Sequence, residues 1–312
     1  MRTRAAVLHE YGAPWSVEDI DLDPPRAGEV LLQLVAAGLC HSDEHIRQGL
    51  MAAPKDVLGT LGLPSMSPTI GGHEGSGVVI EVGDGVSQFT PGDHVVTSFV
   101  AVSGKCRWCT SGMEYICDVG AGTLAPGMPT DRTFRHHTTD GQNLGHVSKI
   151  GAFAEHTVVS ADSIVKVDPH LPLIPAALLA CAIPTGYGSA VHRANVREGD
   201  TVVVVGTGGI GTAALQGARI NGALCIVAVE PVEFKRAARA CSPGCRHDRS
   251  GRSTSTCNPR SDIAMLAGLY QSGKLRLDEM VTKRYRLDEI NDAYADLKNG
   301  ELIRGVIDFG IS

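Results

Sequence analysis

Three residues that lie far apart in the chain, Cys40, His73 and Cys181, could together bind a zinc ion. Two thiolates and one imidazole give Zn²⁺ three protein ligands and leave its fourth position open, which is the pattern of a catalytic zinc site. At such a site the cation favours loss of a proton from a water or alcohol oxygen near neutral pH. Taken singly, each of these residues is more typical of a buried core thiol or a loop histidine.

Polar residues adjacent to these candidate ligands could support catalysis. Ser42 follows Cys40 by two positions, where its hydroxyl could pass on the released proton, and His41 could be the next group in that relay. Asp43 and Glu74 lie close in sequence to the same ligands. Carboxylates in this position commonly orient the residues that hold a metal ion, so we expect that role for both.

A second group of cysteines, Cys106, Cys109 and Cys117, lies in a segment with little periodicity. Three closely spaced cysteines in a loop predict a structural zinc lobe, but a closed tetrahedral site needs four ligands. Ser103 occupies the position where a fourth cysteine would stand, and a serine hydroxyl is a poor zinc ligand. The alternative is a loop without zinc that carries three reduced thiols.

A glycine-rich turn follows the apolar run Thr201–Val205 directly, and Glu230 ends the next apolar run. Glycines at this spacing allow a tight turn and the close approach of a pyrophosphate to a helix N-terminus, while the carboxylate can bind both adenosine ribose hydroxyls. An acidic residue here disfavours a 2′-phosphate, so the pattern predicts NAD rather than NADP. Lys235 either flanks the adenosine or is a solvated charge. The turn consists of Gly206, Thr207, Gly208, Gly209, Ile210 and Gly211.

The surrounding elements divide the chain into two kinds of structure. Short apolar runs separated by glycine, proline and aspartate turns in the first hundred residues predict a small β-barrel or sandwich. We expect residues 120–148, with His136 and His137, to form a solvated loop that shapes access to the pocket. From residue 201 onward, the order strand, glycine turn, helix and strand predicts a parallel βαβ unit.

The overall composition limits the classes of function. The 312 residues include 43% hydrophobic and 20% charged residues, with a net charge of −6, so no basic field would attract nucleic acid or an anionic membrane. The longest apolar stretch, Ile174–Ile183, is too short to span a membrane. The N-terminus lacks the apolar region of a secretory signal, so we expect a cytoplasmic protein whose cysteines are reduced.

Together, these motifs resemble those of the zinc-dependent medium-chain alcohol dehydrogenases, and most closely the actinobacterial-type branch that holds NAD tightly. The resemblance covers most of residues 1–236 and 258–312. The matching segments include AAGLCHSDEH, GGHEGSGVV, GKCRWC, ACAIPTGYGSAV, VVVVGTGGIG, VAVEPVEFKR and LIRGVIDF.

The resemblance implies an α/β protein with a GroES-like β-barrel catalytic domain at residues 1–181. It also implies a Rossmann domain, which is a doubly wound parallel sheet, at 182–257, and a C-terminal segment, 258–312, that returns to the catalytic domain. The resemblance implies that Cys40, His73 and Cys181 bind catalytic zinc and that Ser42 is the proton relay. It implies that His41 and Arg304 contact the cofactor pyrophosphate. It also implies that Thr185 and Ile210 line the nicotinamide side and that Phe99 lines the substrate pocket.

The implied activity is oxidation of a primary alcohol to an aldehyde, with hydride transfer from a zinc-bound alkoxide to NAD. The expected partners are a small-molecule alcohol or aldehyde, and homo-oligomers are typical of the family. Two alternatives stay open. The chain could be a non-enzymatic zinc-binding remnant of such an enzyme, or a glutathione-adduct (formaldehyde) dehydrogenase with the same metal.

One departure from the family concerns the nucleotide-binding domain. Six parallel strands need roughly 25–30 residues per βα unit, yet only 57 residues run from Thr201 to Cys257, with two credible strands. The segment 237–257, rich in arginine, serine and cysteine, therefore indicates an abrupt junction where the second half of this domain is missing. We expect a shortened domain that exposes its apolar strands, impaired activity, and loss of the edge strand that pairs two subunits.

Overall fold

The computed structural model describes residues 1–51, 67–122, 127–237 and 257–310. The strands in these ranges are β1 Arg2–Leu8, β2 Ser16–Leu22, β3 Glu29–Gly38, β4 Thr69–Ile70, β5 Glu74–Val82, β6 His94–Thr97, β7 His136–Thr138, β8 Asn143–His146, β9 His156–Ser160, β10 Ile164–Lys166, β11 Thr201–Val205, β12 Cys225–Val229, β13 Val281–Tyr285 and β14 Arg304–Asp308.

The α-helices in the same ranges are short apart from three. They are α1 His41–Arg47, α2 Arg107–Thr110, α3 Leu173–Ala176, α4 Ala182–Gly188, α5 Gly209–Ile220, α6 Glu233–Ala237, α7 Pro259–Gln271 and α8 Ile290–Asn299. No single helix in the described ranges is long and apolar enough to cross a membrane. The segments Leu173–Ala180 and Ala182–Arg193 meet that criterion only as a pair, which is bent by 52°.

The N-terminal part forms the predicted barrel. Strands β1, β2, β7, β8 and β4 close into a barrel, and β3 lies inside a seven-stranded sheet, where it pairs with β5, β9 and β14. Strand β3 is apolar and almost entirely buried because it has neighbours on both edges. Its side chains Leu32 and Leu34 pack into a core that includes Trp15, Phe153 and Tyr294.

The C-terminal segment returns to this sheet. Helix α8 ends at Gly300, whose φ of 76° is the left-handed conformation that glycine adopts at helix ends. Strand β14 then pairs antiparallel with β3, with Val306 opposite Gly38. The sequence-based domain boundaries after residues 181 and 257 stay predictions.

The residual nucleotide unit has the predicted order of strand, turn, helix and strand. Strands β11 and β12 are parallel and in register from Thr201 to Val205, and in the described part of the chain their sheet has these two strands alone. Consequently Val203 and Val205 are 51% and 42% exposed, as expected for apolar strands that have lost their neighbours. Residues 238–256, which contain most of the segment interpreted as a junction, lie outside the described ranges.

The prediction of a solvated loop at residues 120–148 is wrong. His136 and His137 lie in β7, and His136 is fully buried, with its Nε2 3.1 Å from Thr157 Oγ1. Next to it, the fully buried Arg135 forms two hydrogen bonds of 2.7 Å with the Glu29 carboxylate. A three-residue strand is too short to leave a period-two signal in the sequence, and this buried ion pair joins residues 106 positions apart.

We predict that the buried pair His136 and His146 makes the fold sensitive to acid. Burial lowers the pKa of His136 to about 3 and that of His146 well below its usual value, so the unfolded chain binds more protons below about pH 6.5. Each histidine should therefore remove up to about 1.4 kcal/mol of stability per pH unit on acidification. Chemical denaturation between pH 7 and 5 should show a shallower loss for His136→Gln, and an equal loss in both proteins would contradict this prediction.

Candidate metal and cofactor site

Four chemically active side chains meet where three elements begin. Cys40 immediately precedes α1, His73 immediately precedes β5, whose first residue is Glu74, and Cys181 immediately precedes α4. One potential ligand atom from each residue lies within 4.8 Å of the others, and all four residues are buried. The structure thus brings together the three residues that the sequence predicted as zinc ligands, and adds the Glu74 carboxylate.

Two glycines allow His73 to reach this position. A Cβ atom on Gly71 would lie 2.6 Å from the Trp15 ring, and one on Gly72 would lie 2.6 Å from the backbone nitrogen of Phe153. Gly72 also has a φ of 86°, which non-glycine residues rarely adopt. The chain before His73 is therefore packed against the barrel core more closely than any side chain would permit.

Asp43 lies beside the imidazole of His73. Its Oδ1 accepts a hydrogen bond of 2.9 Å from the Gly72 amide, and its Oδ2 lies 3.1 Å from His73 Nδ1. Burial disfavours the charged imidazole, but the charges of Asp43 and Cys40 outweigh it and raise the pKa of His73 well above its usual value. With Nδ1 next to Asp43, Nε2 is the ring nitrogen left for the cluster, as in carboxylate–histidine–metal sites.

The two buried thiols differ in acidity. A hydrogen bond from Cys181 and the charge of His73 lower the pKa of Cys40 well below its usual value. The same hydrogen bond, together with burial, raises the pKa of Cys181. A bound divalent ion would require both thiols in the thiolate form, so its binding would release protons from this pair.

Glu74 is paired with Arg304, a contact that joins residues 230 positions apart. Burial raises the pKa of Glu74 to about 8, and its Oε1 has no hydrogen-bond partner among the described residues. Sequence reasoning assigned Arg304 to the cofactor only by resemblance and did not predict this pair. The Arg304 side chain also packs against Gly209, where a Cβ atom would lie 2.4 Å from its Cδ.

A cavity of about 530 Å³ is lined by Cys40 of the cluster and by glycines of the turn. His41, Ile210, Lys235 and Arg304 also line this cavity. His41 is exposed, as is Ile210 at 47%, and Ser42 Oγ lies 3.6 Å from Cys40 Sγ. Phe99 and Thr185 are half-buried and are not among the residues that line this cavity.

The glycine turn is as tight as its sequence predicts. Gly206 has a φ of 81°, and a Cβ atom on Gly211 would lie 1.9 Å from the Gly206 carbonyl oxygen. The Glu230 carboxylate is fixed beside the turn, because it accepts hydrogen bonds of 2.8 Å from both the amide and the hydroxyl of Thr207. A third bond of 3.0 Å comes from the Val232 amide.

The second cysteine group is also compact. Cys106 Sγ lies 3.5 Å from Cys109 Sγ and 3.8 Å from Cys117 Sγ, close to the edge of about 3.8 Å expected for a tetrahedron with zinc–sulfur bonds of about 2.3 Å. Ser103 Oγ lies 3.6 Å from Cys117 Sγ and 3.9 Å from Cys109 Sγ. The serine thus occupies the fourth corner of the group in space as well as in sequence.

Helix α7 anchors this cysteine lobe through contacts that the sequence did not reveal. Asn258 Oδ1 accepts a hydrogen bond of 3.0 Å from the Glu114 amide, and the Arg260 amide donates one of 3.1 Å to the Glu114 carboxylate. The Arg260 guanidinium donates to the Val102 carbonyl oxygen at 2.8 Å. These partners are about 150 positions apart, so no local pattern could have identified them.

Comparison with known proteins identifies the family. Residues 26–169 match the profile of the alcohol dehydrogenase GroES-like domain. The NDMA-dependent alcohol dehydrogenase of Amycolatopsis methanolica is 38% identical over 381 aligned positions, which cover 98% of this chain and 99% of that protein. The chain belongs to the zinc-dependent medium-chain alcohol dehydrogenases. S-(hydroxymethyl)glutathione dehydrogenase of Saccharomyces cerevisiae is 31% identical, with 97% of this chain and 95% of that protein covered.

The fold of this dehydrogenase agrees with solved structures. An alcohol dehydrogenase zinc-binding domain protein from Burkholderia ambifaria superposes with a TM-score of 0.84 at 25% identity, covering 99% of both chains.

The length of the alignment with the Amycolatopsis relative bears on the half-domain that the sequence predicts to be missing. The 381 aligned positions exceed the 312 residues of this chain by 69, so the Amycolatopsis relative has at least that many positions without a counterpart here.

We predict that Ser103 limits zinc binding at the cysteine lobe. Ser103→Cys places a thiolate at the fourth corner and should raise the zinc content of purified protein by about one ion per chain, because four thiolates form a closed structural site. Metal analysis by mass spectrometry measures this change. Ser111→Cys is the matched control because it adds a thiol outside the group, and an equal gain of zinc in both variants would contradict the prediction.

Proposed function

We propose that this chain is a zinc- and NAD-dependent alcohol dehydrogenase that oxidises a primary alcohol to an aldehyde. One observation carries the proposal: Cys40, which belongs to a buried cluster of two thiols and an imidazole, lines the same cavity as a dinucleotide-type glycine turn. Hydride transfer requires the alcohol carbon and the nicotinamide ring to meet, and a cavity lined by both Cys40 and the turn supports that requirement.

The donor set fits zinc. Cys40, His73 and Cys181 would hold the ion through two sulfurs and one nitrogen, which are the ligands that zinc prefers. Asp43 lies 3.1 Å from Nδ1 of His73, which favours Nε2 as the third ligand atom. When bound, zinc supplies a Lewis acid that stabilises negative charge on the oxygen of the alcohol.

Ser42 and His41 provide the path for the proton. The Ser42 hydroxyl lies next to Cys40 and can accept the proton that the alcohol oxygen loses. His41 lies in the first turn of the same helix, is exposed, and can deliver the proton to solvent. We further propose that Phe99, which follows β6, limits the outer substrate pocket.

The turn from Gly206 to Gly211 and the buried Arg304 would offer amide and guanidinium donors to a diphosphate. Glu230, held beside the turn by Thr207, would offer its carboxylate to the adenosine ribose, and Lys235 also lines the cavity. When bound, NAD supplies the acceptor for the hydride. Ile210 and Thr185 are proposed for the nicotinamide side.

A second candidate is the non-enzymatic zinc-binding remnant. The two-stranded sheet of β11 and β12 favours it, because a Rossmann domain has two mononucleotide-binding halves and the described residues contain part of one. No observation in the described part of the chain favours a glutathione adduct over a simple alcohol as substrate.

The test is NAD reduction by zinc-loaded protein with short primary alcohols. Cys40→Ser should lower kcat/KM at least about a thousandfold, because loss of the ion removes electrostatic stabilisation worth several kcal/mol. Cys225→Ser, in β12 outside the cluster, should keep the wild-type rate. Equal turnover in wild type and Cys40→Ser would contradict the proposal, and absence of turnover in a zinc-loaded wild type would favour the remnant.

A further inference from the structure

We propose that the cysteine lobe formed by Cys106, Cys109 and Cys117 is a site for a soft monovalent cation, copper(I), rather than for the structural zinc that the family resemblance implies. The inference follows from Ser103, which stands where a fourth cysteine would complete a zinc site. It goes beyond the proposed function and does not depend on it.

The three sulfur atoms of the lobe are close enough to bind one ion. Cys106 Sγ lies 3.5 Å from Cys109 Sγ and 3.8 Å from Cys117 Sγ, and all three sulfurs lie within 4.8 Å of one another. Cys117 is fully buried, while Cys106 and Cys109 are half-buried, so an ion can reach the sulfurs from solvent. The Ser103 amide donates a hydrogen bond of 3.4 Å to Cys117 Sγ, a contact that stabilises a thiolate.

Ser103 is placed to support three sulfurs and not to act as a fourth ligand. Its hydroxyl oxygen accepts hydrogen bonds of 3.4 Å from the amides of Lys105 and Cys106. A hydroxyl has two lone pairs, so these amides use its acceptor capacity. What remains is its O–H, which can donate to Cys117 Sγ at 3.6 Å or Cys109 Sγ at 3.9 Å once these thiols have lost their protons.

This donor set fits copper(I) better than zinc. Structural zinc is almost always held by four ligands in a closed tetrahedron, and a hydroxyl that is engaged by two amides leaves the lobe one ligand short. Soft thiolates also select copper(I). Three sulfurs in a plane complete the coordination of that ion, which needs nothing from the corner where the hydroxyl of Ser103 lies.

The charge of the lobe agrees with a monovalent ion. Binding would exchange one copper(I) ion for the protons of three thiols, and the product would carry two negative charges. Zinc with four thiolates carries the same charge, whereas zinc with three thiolates carries one negative charge fewer. The guanidinium of Arg260 lies against the loop, since a Cβ atom on Gly104 would lie 2.7 Å from it. The other charged side chains of the lobe and its contacts with α7 are Lys105, Arg107, Glu114, Asp118 and Asp162.

Anaerobic titration of the full zinc-loaded chain with copper(I), in competition with the chelator bathocuproine disulfonate, tests the proposal. We expect Cys109→Ser to weaken the tightest copper(I) binding at least about tenfold, or about 1.4 kcal/mol, because two sulfurs remain in the lobe. Cys225→Ser, in β12 outside the lobe, should leave this affinity unchanged. Thermal melts check that both variants are folded. Equal copper(I) affinity in wild type and folded Cys109→Ser would overturn the proposal.

Two variants of Ser103 separate copper(I) from zinc at the same lobe, and they keep the proposal falsifiable if Cys109→Ser does not fold. Ser103→Ala keeps three sulfurs and should keep the copper(I) affinity within about tenfold, because the hydroxyl is not a ligand. Ser103→Cys completes a four-thiolate site, so the preference for copper(I) over zinc should fall at least about tenfold. An unchanged preference in Ser103→Cys, or loss of copper(I) binding in Ser103→Ala, would overturn the proposal.

X-ray absorption at the copper edge gives the ligand set directly. We expect wild-type protein loaded with one copper(I) per chain to show three sulfur neighbours and no nitrogen neighbour. Zinc analysis of the same sample checks that the buried cluster at Cys40, His73 and Cys181 keeps its ion. A nitrogen neighbour, or fewer than three sulfurs around copper, would place the ion elsewhere and overturn the proposal.

Discussion

The chemistry of this molecule depends on a buried group of ionisable side chains whose donor atoms suit a cation. Two thiols, an imidazole and a carboxylate meet within 4.8 Å, and all are shielded from water. Removing a charge from water costs several kcal/mol unless it is paired, and here Arg304 pairs with Glu74 while Asp43 lies beside His73. A divalent ion between Cys40, His73 and Cys181 would hold both thiols as thiolates. The same ion would supply the chemistry of the site.

The barrel and the adjoining seven-stranded sheet position the residues of this cluster. Strands β3 and β5 deliver Cys40 and His73 to the same end of one sheet, and the glycines before His73 let the chain pack closely against Trp15 and Phe153. Strand β14 returns beside β3 and places Arg304 between the cluster and the glycine turn. The unit of β11 and β12 is less well buried than the barrel, because its two strands expose apolar side chains that a complete parallel sheet would bury.

Local patterns predicted much of this architecture from the sequence. The apolar run Thr201–Val205 matches β11 residue for residue, because a buried strand followed by glycines has a strong signature. The three cysteine and histidine residues were identified by type and resemblance, and the structure shows that they converge. Long-range contacts were not predictable: the Glu74–Arg304 pair and the anchoring of the cysteine lobe by Asn258 and Arg260 join residues more than 140 positions apart. Short strands such as β7 were missed because three residues carry too little periodicity.

The most direct test of the central claim is anomalous diffraction at the zinc absorption edge from crystals of the full chain. We expect one strong peak between Cys40 Sγ, His73 Nε2 and Cys181 Sγ, at about 2.0–2.3 Å from each ligand atom. Zinc-loaded crystals in which these three side chains point apart, or show no peak between them, would contradict a zinc site at this cluster.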